Sequence, residues 1–222
     1  MNRFGVPQTM KYWKHILILS ALIIGVVVYL FFQNPKVIKA MNYFKRAPDT
    51  ILIQPFAGMN KEQVTHVYLG LKQVYPFVQL LPVEALPKCA WYAPRSRYRA
   101  DSIIAYLSRQ CRTGYVTIGI TNLDVSTTKG EVADWGVMGL GYKPGNACVV
   151  STFRLNKANL NEQFFKVCIH ELGHTRGLDH CEVKTCYMRD AEGHNTADEE
   201  YEFCPSCRKK LEGNGWVLKR GL

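Results

Sequence analysis

Acidic residues are almost missing from the first fifty positions. Residues 1–50 hold one, Asp49, against seven Lys and Arg, a local charge of +6. The other 172 residues hold 21 basic and 17 acidic side chains, only +4. The overall charge of +10 therefore belongs mainly to a short N-terminal segment. The body has no basic helix with interleaved aromatics, which speaks against nucleic acid as a partner. Internal repeats and low-complexity stretches are absent as well, so the body is neither a repeat array nor a disordered tail.

Charge is absent altogether from Ile16 to Phe32, ILILSALIIGVVVYLFF, seventeen residues. That length is at the short end of what crosses a bilayer. Tyr12, Trp13 and Tyr29 suit an interfacial aromatic belt. Gln33-Asn34-Pro35-Lys36 offers no small-x-small cleavage site, which argues against a removed leader. No cysteine follows closely enough to carry a lipid. A buried core helix is the poorer alternative, because the run is apolar on every face. Three basic residues precede it and four follow, so the charge rule does not choose an orientation. An N-terminal anchor with most of the mass after it more often leaves that mass outside the cytoplasm, and that orientation is expected. The expected organisation is a basic tail at 1–15, a single-pass transmembrane helix at 16–32, a linker at 33–50 and one folded domain at 51–222.

The body interleaves helical and strand-like runs, so a mixed α/β (α+β) domain with a small sheet is expected. Ile51–Gln54 reads as a strand and Asn60 as the cap of a helix from Lys61 to Val74. Phe77–Leu81 reads as a second strand, 82–97 as irregular, and Asp101–Gln110 as helical. Tyr115–Ile120 is a strand followed by a polar loop, Thr121 to Asp134. Gly136–Gly141 and Ala147–Ser151 read as strands with a turn at Pro144-Gly145. Asn161 reads as the cap of the next helix.

That helix carries His170-Glu171-Leu172-Gly173-His174-Thr175-Arg176-Gly177-Leu178-Asp179-His180, the pattern HExxHxxGxxH. Positions i and i+4 share a helix face, so His170 and His174 turn two imidazoles toward one point. Gly177 lets the chain leave the helix, and His180 returns as a third ligand. Three nitrogens make an open zinc site, the catalytic kind, with Glu171 beside it as general base. Downstream, Cys181, Cys186, Cys204 and Cys207 are spaced as a structural zinc site of four thiolates. Two disulfides are the alternative. Two zinc ions are expected, and Cys181 adjoins His180, so the second would steady the first. Cys89, Cys111, Cys148 and Cys168 read as free thiols, with Cys89–Cys111 or Cys148–Cys168 pairing open in an oxidising compartment.

HELGHTRGLDHC, then Cys186-x-Met188, then FCPSC at Phe203 to Cys207, together resemble the archaemetzincins. SRYRAD at 96–101, GITNLDV at 119–125 and VVSTFRL at 149–155 extend the resemblance over roughly residues 50–212. It implies a metzincin-type zincin fold, with a twisted mixed sheet, an active-site helix, a catalytic zinc and a second, four-cysteine zinc. Met188 takes the place of the metzincin Met-turn. The implied activity is a zinc metallopeptidase acting on peptides or proteins, aminopeptidase-like or endopeptidase.

The expected chemistry is peptide-bond hydrolysis by a zinc-activated water, with Glu171 as general base. The rival is a non-catalytic, zinc-stabilised interaction module tethered to a membrane; a purely structural metal has no need of Glu171. The stretch 136–141 is a candidate edge on which an extended substrate pairs. Loops 82–97 and 121–135 are candidate pocket walls, and Tyr187 a candidate near the leaving group or a packed ring. His15 and His66 have no partners in sequence, and His194, in a polar loop with Glu192 and Asp198 nearby, reads as solvated surface.

Overall fold

The computed structural model describes residue 20 and residues 24–31, 33–34, 49–190 and 195–219. The chain divides into two units, Met1–Ala47 and Pro48–Leu222.

In the first unit residues 24–31 are helical, and Ile24, Val26–Val28, Leu30 and Phe31 are exposed. Among the described residues no helix is long and apolar enough to cross a membrane. The transmembrane helix expected over 16–32 is therefore not supported, and 16–19, 21–23 and 32 lie outside the described residues.

The second unit opens with β1 (Thr50–Pro55) and α1 (Lys61–Val74). Asn60 caps α1 as its sequence suggests, its side chain accepting from the Glu62 amide at 2.7 Å. Then come β2 (Val78–Leu80), β3 (Trp91–Tyr92), β4 (Arg97–Arg99) and α2 (Ala100–Gln110). β5 (Tyr115–Thr121), β6 (Val125–Lys129), β7 (Val132–Val137), β8 (Gly139–Gly141) and β9 (Ala147–Ser151) follow. The chain closes with α3 (Leu160–Thr175) and α4 (Pro205–Gly213).

Five strands form one mixed sheet in the order β2-β1-β5-β9-β8, parallel except for β8 at the edge. Residues alternate across it. Ile51, Ile53, Val116, Ile118, Ile120, Cys148 and Val150 meet α1 and α3 on one face, whereas Ala147 and Val149 meet Ile103, Ile104 and Leu107 of α2 on the other. Both faces are covered, so β9 is buried along its whole length and β5 at all but its first residue. A second sheet, β3-β4-β6-β7, packs against the α2 side.

Three expectations change. Thr121–Asp134 is not a loop: its second half is the β6–β7 hairpin, turning at Gly130 with φ +55°. The alternation of its Val, Thr and Trp residues is short and interrupted by charge, so the pattern is weak in sequence. Gly136–Gly141 is not one strand either. Gly136 and Val137 end β7 in the small sheet, and Gly139 begins β8 in the large one, so the chain changes sheets at Met138. Asn161 lies inside α3; a 3-10 turn, Lys157–Asn159, capped by the Asn156 side chain, leads into that helix.

Candidate metal and active site

α3 ends where its sequence turns to glycine. The Gly177 amide donates to the His174 carbonyl (2.8 Å) and the Leu178 amide to the Gly173 carbonyl (3.2 Å), with Gly177 at φ +80°. This pairing closes the last turn and needs a residue free of Cβ at a left-handed position. The chain then doubles back, and His180 faces His170 and His174. One ring nitrogen from each of the three lies within 4.8 Å of the others, and the ring centroids are 4.6, 4.9 and 5.4 Å apart.

The chemistry of this donor set fits a metal. His170 Nδ1 donates to the Tyr187 carbonyl at 2.7 Å and His174 Nδ1 to the Leu178 carbonyl at 2.8 Å. A carbonyl only accepts, so both Nδ1 atoms carry the proton and both Nε2 atoms present lone pairs. Those two lone-pair atoms stand 3.0 Å apart, an arrangement that a cation between them resolves. Burial pushes His170 down to about 3 and lowers His174, so both rings are neutral, the ligating form. His180 is held differently: its Nδ1 meets the Asp190 carboxylate at 3.1 Å.

Glu171 points from α3 into a cavity of about 400 Å³ that His170 and His180 also line. Glu171 is 7 % exposed, and burial raises its carboxyl to about 8. β8 lies directly on it. A Cβ at Gly139 would sit 2.7 Å from Glu171 Oε1, and one at Gly141 would sit 2.7 Å from the Glu171 carbonyl oxygen. Both glycines are therefore required by close approach.

The sulfurs of Cys181, Cys186, Cys204 and Cys207 converge within 4.8 Å of one another, and all eight cysteines are free thiols. The amides of Met188 and Cys204 point at Cys186 Sγ, at 3.5 and 3.4 Å. Burial lifts Cys186 to about 11 and Cys207 higher still. Buried thiols aimed at one point with N–H donors around them suit thiolates gathered on a cation.

The two clusters are joined twice. His180 and Cys181 are adjacent in the chain. In addition, Tyr187, which follows Cys186, supplies the carbonyl that orients His170. The Cys181 amide closes the loop on the Met188 carbonyl at 2.7 Å. Met188 is fully buried under α3, where a Cβ at Gly173 would meet its sulfur at 2.4 Å. The Tyr187 ring is packed edge-on to Phe165 and Phe203, so its carbonyl rather than its hydroxyl serves the site.

Other expectations fare unevenly. The cavity wall includes Lys129 and Trp135 from the expected 121–135 region but nothing from 82–97. His66 pairs with Glu162 at the surface (3.4 Å), while His15 and His194 lie outside the described residues. Sequence reasoning missed Asp190, Arg154 and Glu200, all on the cavity wall. Asp190 follows Met188 by two positions, a usable signal; Arg154 and Glu200 reach the cavity only through the fold.

The sequence profile described as "Peptidase family M54" matches residues 52–213. The archaemetzincin of Haloquadratum walsbyi is 32 % identical over 173 residues, 72 % of this chain and 97 % of that one. The crystal structure of archaemetzincin from Archaeoglobus fulgidus, complexed with malonate, superposes with a TM-score of 0.62 at 30 % identity, covering 72 % of this chain and 99 % of that one. That of Methanopyrus kandleri gives 0.63 at 25 % identity, covering 75 % and 95 %.

Proposed function

The chain belongs to peptidase family M54, a zinc metallopeptidase of archaemetzincin type, and from that premise we propose that Glu171 is its general base and that it holds two zinc ions. His170, His174 and His180 would hold the catalytic ion, and Cys181, Cys186, Cys204 and Cys207 the structural one. The observation that carries the reading is the buried Glu171 carboxyl in a cavity shared with His170 and His180, two of three converging imidazoles. Bound there, zinc supplies Lewis-acid polarisation of a peptide carbonyl and acidifies water.

The protein's own groups do the rest. Glu171 takes a proton from the attacking water and returns it to the leaving amine. Its burial-raised carboxyl suits both tasks at neutral pH, and a neighbouring cation lowers it again. The Tyr187 and Leu178 carbonyls keep His170 and His174 in the Nδ1–H tautomer, and Asp190 orients His180. Among the described residues β8 is the edge strand of the large sheet, paired only with β9, so an extended substrate adds along its other edge. Met188 supports α3 from below as the Met-turn residue. Membership in a peptidase family disfavours the rival interaction module.

Peptide-library digestion by the zinc-loaded protein tests the reading. Wild type should cut, and Glu171→Gln should lose roughly 10²–10⁴-fold in kcat while keeping its metal and fold. A zinc-loaded wild type that cuts nothing would refute it. Membrane placement rests on the sequence of residues 16–32 alone; retention in the membrane pellet after alkaline extraction tests it, and release refutes it.

A further inference from the structure

The cavity wall carries three cations and three acids besides the imidazoles, and their pairing is uneven. Arg154 is gripped by both oxygens of Asp124 at 2.9 Å and lies flat on Gly136, where a Cβ would fall 2.2 Å from the guanidinium carbon. Arg189 Nη1 is held by Glu199 Oε2 at 2.7 Å. Lys129 sits over the Trp135 ring at 5.0 Å. Among the acids, Glu171 is assigned to the chemistry and Asp190 meets His180. Glu200 is the remaining one.

Glu200 follows a 3-10 turn, Ala197–Glu199, whose entry is tied by the Asn195 side chain to the Ala197 amide at 3.2 Å. Gln163 of α3 anchors the same segment, accepting from Asn195 at 2.6 Å and donating to Asp198 at 3.0 Å. The Glu200 side chain is therefore held in place rather than free to reach solvent. It is 5 % exposed, and its Oε1 accepts from Thr196 Oγ1 at 2.9 Å. Among the described residues no ion pair or further side-chain hydrogen bond reaches its carboxylate. Lys166 and Arg189 lie near enough to favour its charge, yet burial outweighs them and raises it to about 7. Among the described residues this carboxylate has one hydroxyl partner and no cation in direct contact, an expensive arrangement that a bound cation relieves.

We propose that Glu200 selects the substrate by binding a cationic group, the ammonium or guanidinium of a basic side chain or a free N-terminal amine, near the bond to be cut. This rests on the peptidase reading of the same cavity. Charge-assisted hydrogen bonding is worth roughly a 10- to 100-fold preference over a neutral group.

The test uses the full zinc-loaded chain and a peptide library in two arms, N-acetylated and free. A basic side chain as the ligand gives Lys and Arg enrichment at one position in both arms. An α-amine as the ligand gives cleavage favoured in the free arm near the N-terminus. Either ratio, basic over neutral or free over acetylated, should fall roughly 10- to 100-fold in Glu200→Gln, and a ratio is insensitive to a general loss of folded enzyme. Wild-type cleavage with neither preference, or a preference unchanged in Glu200→Gln, would overturn the proposal. Calorimetry with n-butylammonium, against the neutral isostere 1-butanol, reads the cavity without turnover. Wild type should bind the ammonium at least tenfold tighter, and equal binding would overturn the proposal. Failure to cleave combined with ammonium-selective binding would instead sink the peptidase reading alone.

Discussion

Gly141→Ala should damage stability and activity together, and the geometry says by how much. The new Cβ would lie 2.7 Å from the Glu171 carbonyl oxygen, 3.2 Å from Glu171 Oε2 and 3.3 Å from His174 Cβ. The nearest of these is helix backbone, which cannot swing aside, so β8 or α3 must move. Overpacking of this kind costs about 1–3 kcal/mol. Replacing glycine in a strand returns about 0.5–1 kcal/mol through the unfolded chain. The net is up to about 2.5 kcal/mol of destabilisation, or up to about 10 °C in Tm for a domain of this size. Gly139→Ala meets only the movable end of Glu171, Cγ and Oε1 at 2.7 Å. It should therefore melt closer to wild type yet lose roughly 100-fold or more in kcat, because the base is displaced. Gly213→Ala, with nothing within 4 Å, is the control. Scanning calorimetry and peptide turnover on the three zinc-loaded variants decide the matter. A Gly141→Ala protein that melts with wild type and retains full turnover would refute the packing argument.

Cys207→Ser should lower zinc from two ions per chain to one and cut activity, because Tyr187 and Cys181 would no longer be held to orient His170 and His180; plasma emission analysis with turnover checks this, and full activity with one ion would sink the coupling. Asp190→Ala should weaken zinc binding about 10- to 100-fold in a chelator competition, because His180 loses the partner of its Nδ1; an unchanged affinity would show that Asp190 does not orient the ring. Glu200 titrates at about 7 when folded against about 4.3 unfolded. The folded state then binds more protons between these values, so Glu200 makes stability fall as pH rises through that window, by up to about 4 kcal/mol. Urea melts at pH 5 and pH 8 should show a smaller fall for Glu200→Gln than for wild type, and identical falls would contradict the assignment.

Local chemistry was legible wherever it was dense in the chain. His170, Glu171, His174 and Gly177 lie within eight residues on one helix and its cap, so 3.6-residue periodicity and glycine's freedom at positive φ bring them together. Asn60 and α1, β1, β5 and β9 were readable for the same reason: cap and pattern are local. The β6–β7 hairpin was not, because its pairing partners β4 and the turn at Gly130 lend it stability that its own weak alternation lacks. The crossing at Met138 between two sheets leaves no local mark, since a glycine-rich run fits a strand, a bend or both.

By itself the sequence determined the chemistry on offer: which side chains could ligate a metal, which carboxylate stands beside them, and that four thiols follow at metal-binding spacing. Tertiary structure alone decided how those groups are poised. It brought the Tyr187 carbonyl to His170, pressed β8 against Glu171, set Met188 beneath Gly173 and buried Glu200 in the same cavity wall. The physical reason is range. Covalent spacing and helix periodicity act over a few residues, whereas burial, and with it the charge state of Glu171 and Glu200, depends on which distant strands and turns exclude water from them.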